Sequence, residues 1–170
     1  MKRIILSLAV GATLAGCAPR TPGAQIGADG AAIPVAYTIG AAEAEAIPGR
    51  VAQQVNLLRQ GSNAPPLTLD PALNAAAAAH SRDMAAQNRA WHFGSDGSSP
   101  LDRAQRAGFS GELVGENISE SYENDIATLQ AWMETRDTRD VIMDPNAKSL
   151  GVAWYQEPSK KIWWTLLTGK

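Results

Sequence analysis

One cysteine, two histidines and no surplus of basic residues leave this 170-residue chain few of the common routes to a function. The lone Cys17 has no partner for an intramolecular disulfide, so the fold must rest on its core. Fifteen Lys and Arg against seventeen Asp and Glu provide no basic stripe for a polyanion, which argues against nucleic acid as a partner. The apolar run from Ile4 to Leu14, broken by Ser7, Gly11 and Thr13, falls short of the roughly 20 residues of a permanent membrane helix. No Gly-x-Ser-x-Gly elbow surrounds Ser95, Ser98 or Ser99, and Asp96-Gly97 and Pro100 make those serines turn formers rather than nucleophiles. No internal repeat is visible.

What the N-terminus does contain is an export signal. Lys2 and Arg3 precede the short apolar run, and Leu14-Ala15-Gly16-Cys17 closes it. That ending resembles a bacterial lipobox, which implies cleavage after residue 16 and fatty acyl chains, palmitate among them, on Cys17. Each buried CH₂ contributes about 0.8 kcal/mol, so three chains would hold the protein firmly to a bilayer. Ala18 after the cysteine, by analogy with Gram-negative lipoproteins, favours an outer-membrane lipoprotein, facing the periplasm or the surface. Without residues 1–16 the chain keeps 13 basic residues against 17 acidic ones, a net charge of −4. Residues 17–42, rich in Ala, Gly and Pro, read as a lipidated N-terminus and flexible tether, with Pro34 to Ile39 as the exception, a short extended segment that could dock on the domain. Residues 43–170 are the size of one domain.

Within that domain, three helices are expected. The first puts Val51, Val55 and Leu58 on one face, with Pro48 near its start and Gly61 past its end. In the second, Asp70 caps, Pro71 takes the first helical position, and Leu73, Ala76, Ala77, His80 and Met84 form a stripe. The third, from about Asn124 to Thr135, carries Ile126, Leu129, Trp132 and Met133. Leu101, Ala104 and Ala107 begin a shorter helical turn, with Asp102 and Arg103 outside it or pairing locally. Ser149–Tyr155 and Ile162–Leu167 read as two strands that are apolar on both faces, so both faces must be covered. Leu113 to Ile118 adds a third strand. The fold class is therefore α+β: an α-β-α sandwich with a central, mostly antiparallel sheet covered by helices on both faces.

The polar residues that stand out are His92, at the head of the turn-rich run ending at Arg103, and Glu116 in Gly115-Glu116-Asn117. Together with Trp132, Thr135-Arg136-Asp137-Thr138-Arg139 and Ile142-Met143-Asp144-Pro145, they resemble the CAP superfamily of cysteine-rich secretory, antigen 5 and pathogenesis-related 1 proteins, in its short bacterial form. The resemblance implies that His92 lines a cleft and that Glu116, costly in an apolar strand unless bonded, is its partner. It also implies a second acid or serine, and a second histidine, where this chain has Thr135 and Thr138. The ligand cleft is then His92, Glu116, Thr135 and Thr138. His92 and Glu116 alone are weak metal candidates, too few for a closed zinc site, and no cofactor is expected. Glu134, Arg136, Asp137, Arg139 and Asp140 read as a solvated charged turn, Asn117 as a backbone-bonding residue, and His80 as a core histidine satisfied by one hydrogen bond.

These residues support a non-catalytic binding or scaffold module of the bacterial envelope, taking an envelope protein, lipid or peptidoglycan ligand. The alternative is a hydrolase of peptide, ester or cell-wall bonds, with Glu116 orienting His92 as general base for a water; both are candidate catalytic residues on that reading.

Overall fold

In a computed structural model of the protein, residues 37–170 and two short strand pieces, 25–26 and 32–33, are described. The signal segment, Cys17 and most of the tether lie outside the described residues. Two compact units divide the chain, Met1–Val35 and Ala36–Lys170. In the first, β1 (Gln25–Ile26) pairs antiparallel with β2 (Ala32–Ile33).

The second unit runs α1 (Ala41–Gly61), β3 (Thr68–Leu69), α2 (Pro71–Gln87), α3 (Pro100–Arg106), β4 (Leu113–Ser121), α4 (Asp125–Glu134), α5 (Arg136–Met143), β5 (Ser149–Gln156) and β6 (Ile162–Gly169). Its sheet has the order β3-β5-β6-β4; only β3 and β5 pair in parallel. One face carries α1, α4 and α5 over Leu150, Val152, Ile162, Trp164 and Leu166; the other carries α2 and α3 over Ala153 and Leu167. This is the expected α-β-α sandwich. Neighbours Trp163 and Trp164 point to opposite faces, yet both are fully buried, as a sheet covered on both sides allows.

Local chemistry explains the helix ends. Asp70 Oδ1 accepts from the backbone N–H of Ala72 (2.8 Å) and Leu73 (3.0 Å), and Pro71 sits where its missing N–H costs nothing. Asn88, left-handed at φ 48°, closes α2. Ser99 and Asp102 form a reciprocal capping box at the start of α3.

Several expectations need correction. Pro48 lies inside α1, because the helix begins seven residues before it, held there by tertiary contacts, and Gly61 is the helix's last residue rather than past its end. Tyr37 donates to Glu43 (2.8 Å), and Arg50 bridges Glu43 (2.7 Å) and the buried Asp125 (2.8 Å). Leu58 is exposed, and the buried position on α1 falls to Arg59, whose guanidinium donates to the carbonyls of Pro65, Ile142, Asp144 and Ala147. The charged run after Thr135 is a helix, α5, rather than a turn; Arg136, Asp137 and Asp140 face solvent, with Arg136 and Asp140 3.5 Å apart, while Arg139 is half-buried and donates to Met133 O (3.2 Å).

Residues 37–39, expected in the tether, belong to the folded unit. The Gln156 side chain donates to Tyr37 O (2.7 Å) and accepts from Ile39 N (2.9 Å), and both residues pack on the core. The unit from Ala36 thus contains the whole four-stranded sheet and both apolar clusters.

Candidate functional site

β4 is one of the two edge strands, and a bulge between Leu113 and Gly115 sets which way its side chains face. In an unbroken strand, residues three apart point to opposite faces; the extra residue lets Leu113 and Glu116 share the α2 face. Gly115 and Asn117 then face α5. A Cβ on Gly115 would lie 2.7 Å from Val141 Cγ2, so glycine lets α5 close onto the strand.

Glu116 enters the α2 face as a buried carboxylate, its side chain 1% exposed. Its Oε1 lies 2.9 Å from His92 Nδ1, and its Oε2 accepts from an Arg103 amino nitrogen at 2.7 Å. The geometry therefore brings His92 and Glu116 together. Because a carboxylate oxygen accepts, Nδ1 of His92 is the donor, and in the neutral ring the lone pair is then on Nε2, on a side chain that is 52% exposed.

Arg103 is not the outward or locally paired residue its charge suggested. It is buried, and its second amino nitrogen donates to His92 O (3.0 Å) and Ser98 O (2.9 Å), so one guanidinium grips the carboxylate, the histidine's backbone and the end of the turn. Sequence offered a signal for this: Arg103 is three residues from Pro100 and next to Ala104, on the stripe that packs inward. Nothing in the sequence placed His80 nearby. Its Nε2 donates to Trp91 O at 2.9 Å and lies 3.7 Å from Glu116 Oε1, while its buried Nδ1 has no partner among the described residues. Burial pushes the His80 pKa below the ordinary imidazole value, outweighing the neighbouring carboxylate. His80 is thus a neutral core histidine of fixed tautomer, with one hydrogen bond as expected.

The turn carrying His92 is tightly built. Asp83 accepts from Ser95 N (2.8 Å) and Ser95 Oγ (2.6 Å), and Ser98 N donates to Asp96 (2.9 Å). A Cβ on Gly94 would lie 2.5 Å from Ser98 Oγ and 2.6 Å from Asp96 Oδ1, so a larger residue would have to push both side chains aside. Arg89 lies 3.9 Å from the Trp91 ring centroid, and the half-exposed Phe93 ring lies 5.7 Å from the Trp91 ring, tilted by 59°.

Thr135 and Thr138 stand apart from the pair. Thr135 is exposed between α4 and α5, and Thr138 Oγ1 donates to Trp132 O (2.6 Å). Asn117 Nδ2 donates to Thr138 O (2.7 Å), so Asn117 does bond backbone, on the face opposite Glu116. The β4 edge therefore runs between two walls, the His92 turn on one side and the Thr135–Thr138 segment on the other. No hydrogen bond joins the walls among the described residues, and no three His, Cys, Asp or Glu residues there converge as a metal set.

The sequence model of the Cysteine-rich secretory protein family (CAP) matches residues 52–167. A Bacillus subtilis (strain 168) protein, YkwD, is 31% identical over 121 residues, 71% of this chain. The match covers 46% of YkwD, so this chain spans less than half the length of that relative. An extracellular protein of Bacillus anthracis containing an SCP domain superposes with TM-score 0.65 at 26% identity, over 79% of this chain and 45% of the other. An outer surface protein of Borrelia burgdorferi shares the fold, with TM-score 0.66 at 16% identity, over 72% of this chain and 90% of the other. The chain belongs to the CAP family.

Proposed function

We propose that this CAP-family chain is a lipid-anchored, extracytoplasmic module of the bacterial envelope, binding a ligand or protein partner at the cleft beside His92 and Glu116 without catalysing a reaction. The observation that carries this reading is the state of Glu116. A carboxylate only 1% exposed and held by both His92 and Arg103 is a strut that fixes an imidazole, and among the described residues no nucleophile is bonded to that imidazole. The Leu14-Ala15-Gly16-Cys17 ending supports the anchor, and two similar proteins, one extracellular and one of the outer surface, support the location. Among the described residues no helix is long and apolar enough to cross a membrane.

Two experiments test it. Cells fed labelled palmitate should label the full chain and leave Cys17→Ser unlabelled; equal labelling would refute the anchor. The unit from residue 36 onward should leave peptide, ester and peptidoglycan substrates intact. Turnover abolished by His92→Ala would establish the second reading, hydrolysis with His92 Nε2 as base for a water, which the exposed lone pair favours.

A further inference from the structure

The main chain of β4 also faces the cleft. Glu112 and Lys170 exchange both backbone hydrogen bonds at 2.9 Å, and Gly169 O turns the other way to accept from Lys148 N (2.7 Å). In an antiparallel ladder this alternation continues residue by residue. Lys170, Thr168, Leu166 and Trp164 turn toward β4, and their partners Glu112, Gly115, Asn117 and Ser119 turn inward to meet them. Glu116, Ile118 and Glu120 therefore direct N–H and C=O away from the sheet. The Trp132 indole, donating to Ile118 O at 3.1 Å, reaches the strand from that outer side.

At Glu116 the outward groups are open. The residue is 8% exposed while its side chain is 1% exposed, so what solvent reaches is main chain. Neither its N–H nor its C=O has a partner among the described residues beyond the sheet. A nine-residue edge strand is a template for another strand, and here one backbone donor and acceptor lie open beside the half-exposed imidazole that the same residue's carboxylate holds.

We infer that the ligand is an extended peptide that adds to the outer edge of β4, exchanging both backbone hydrogen bonds with Glu116. The inference rests on the binding reading above and names its ligand class. The Trp132 cap on Ile118 O keeps the added ladder to a few residues. In such a pair the peptide residue opposite Glu116 points its side chain to the same face, about 5 Å away, where His92 Nε2 accepts a hydrogen bond. A residue with a side-chain donor, such as threonine, fits.

The test is an NMR titration of the ¹⁵N-labelled unit from residue 36 with acetyl-Val-Thr-Val-amide. A second peptide, N-methylated at the threonine nitrogen, and a trimer of N-acetylglucosamine serve as comparisons. The unmodified peptide should shift the Glu116 amide and the His92 imidazole, the N-methylated one should not, and His92→Ala should weaken binding about tenfold, the order of one lost hydrogen bond. Equal response to both peptides, shifts confined elsewhere, or no response to peptide overturns the inference. A response at His92 to the sugar trimer alone also overturns it, and leaves the cleft itself standing as a binding site.

Discussion

Replacing Arg103 by Met removes a buried guanidinium while keeping most of its apolar stem. Three acceptors lose their donor: Glu116 Oε2 (2.7 Å), Ser98 O (2.9 Å) and His92 O (3.0 Å). Ser98 is itself buried, so its carbonyl cannot turn to water, and the Glu116 carboxylate keeps only His92. Breaking one half of a buried ion pair costs about 3–5 kcal/mol, most of it from the stranded charge. For a unit of this size that is a fall of roughly 10–18 °C in Tm. The assay is urea unfolding of the unit from residue 36, for Arg103→Met, Glu116→Met and the double variant. If the stranded charge dominates, the double variant is more stable than the sum of the two losses predicts, by at least about 1 kcal/mol. An Arg103→Met variant within about 1 kcal/mol of the parent, or strictly additive losses, would refute the account of Arg103 as the clamp of the site.

Glu116→Gln should fold but invert His92. With its amide oxygen taken by Arg103, the glutamine offers an N–H to Nδ1, so the proton moves to Nε2 and the exposed nitrogen changes from acceptor to donor; ligand binding should fall as it does in His92→Ala, which calorimetry would read. Arg59→Ala should cost about 3–5 kcal/mol in urea unfolding, since four backbone carbonyls lose their shared donor. Tyr37 is pushed up to about 12, by burial first and then by its hydrogen bond to Glu43. A folded pKa above the unfolded value of 10.0 means that the stability Tyr37 contributes is complete below pH 10 and is lost as the pH rises toward 12. Absorbance titration should show one tyrosine ionising near 12, absent in Tyr37→Phe. A unit starting at residue 43 should unfold at lower urea than one starting at 36, because it lacks the Tyr37 and Ile39 contacts to Glu43 and Gln156.

Much of this was legible in the sequence where one physical requirement acts locally. Asp70-Pro71 announced a helix start, and strands apolar on both faces demanded a sandwich. That Glu116 needs a partner was legible for the same reason; the family resemblance named His92, and the structure adds Arg103. What sequence hid were groups whose role depends on distant chain. Arg59 looks like a surface residue until its four acceptors, three of them more than eighty residues away, are brought round it. His80 read correctly as core, but its 3.7 Å approach to Glu116 follows from α2 crossing the sheet, which no local pattern encodes. Thr135 and Thr138 could be listed beside His92 and Glu116, but only the bulge in β4 decides that the two pairs occupy opposite walls.

With only two histidines in the chain, a long-range ¹H–¹⁵N spectrum of the imidazoles, recorded where both rings are neutral, tests the central claim directly. His80, donating through Nε2 to Trp91 O, provides the internal reference for one tautomer. The account predicts the other tautomer for His92, with the proton on Nδ1 toward Glu116 and Nε2 free. Two rings both protonated on Nε2 would contradict it, because Glu116 would then not be the group that presents His92 to the cleft.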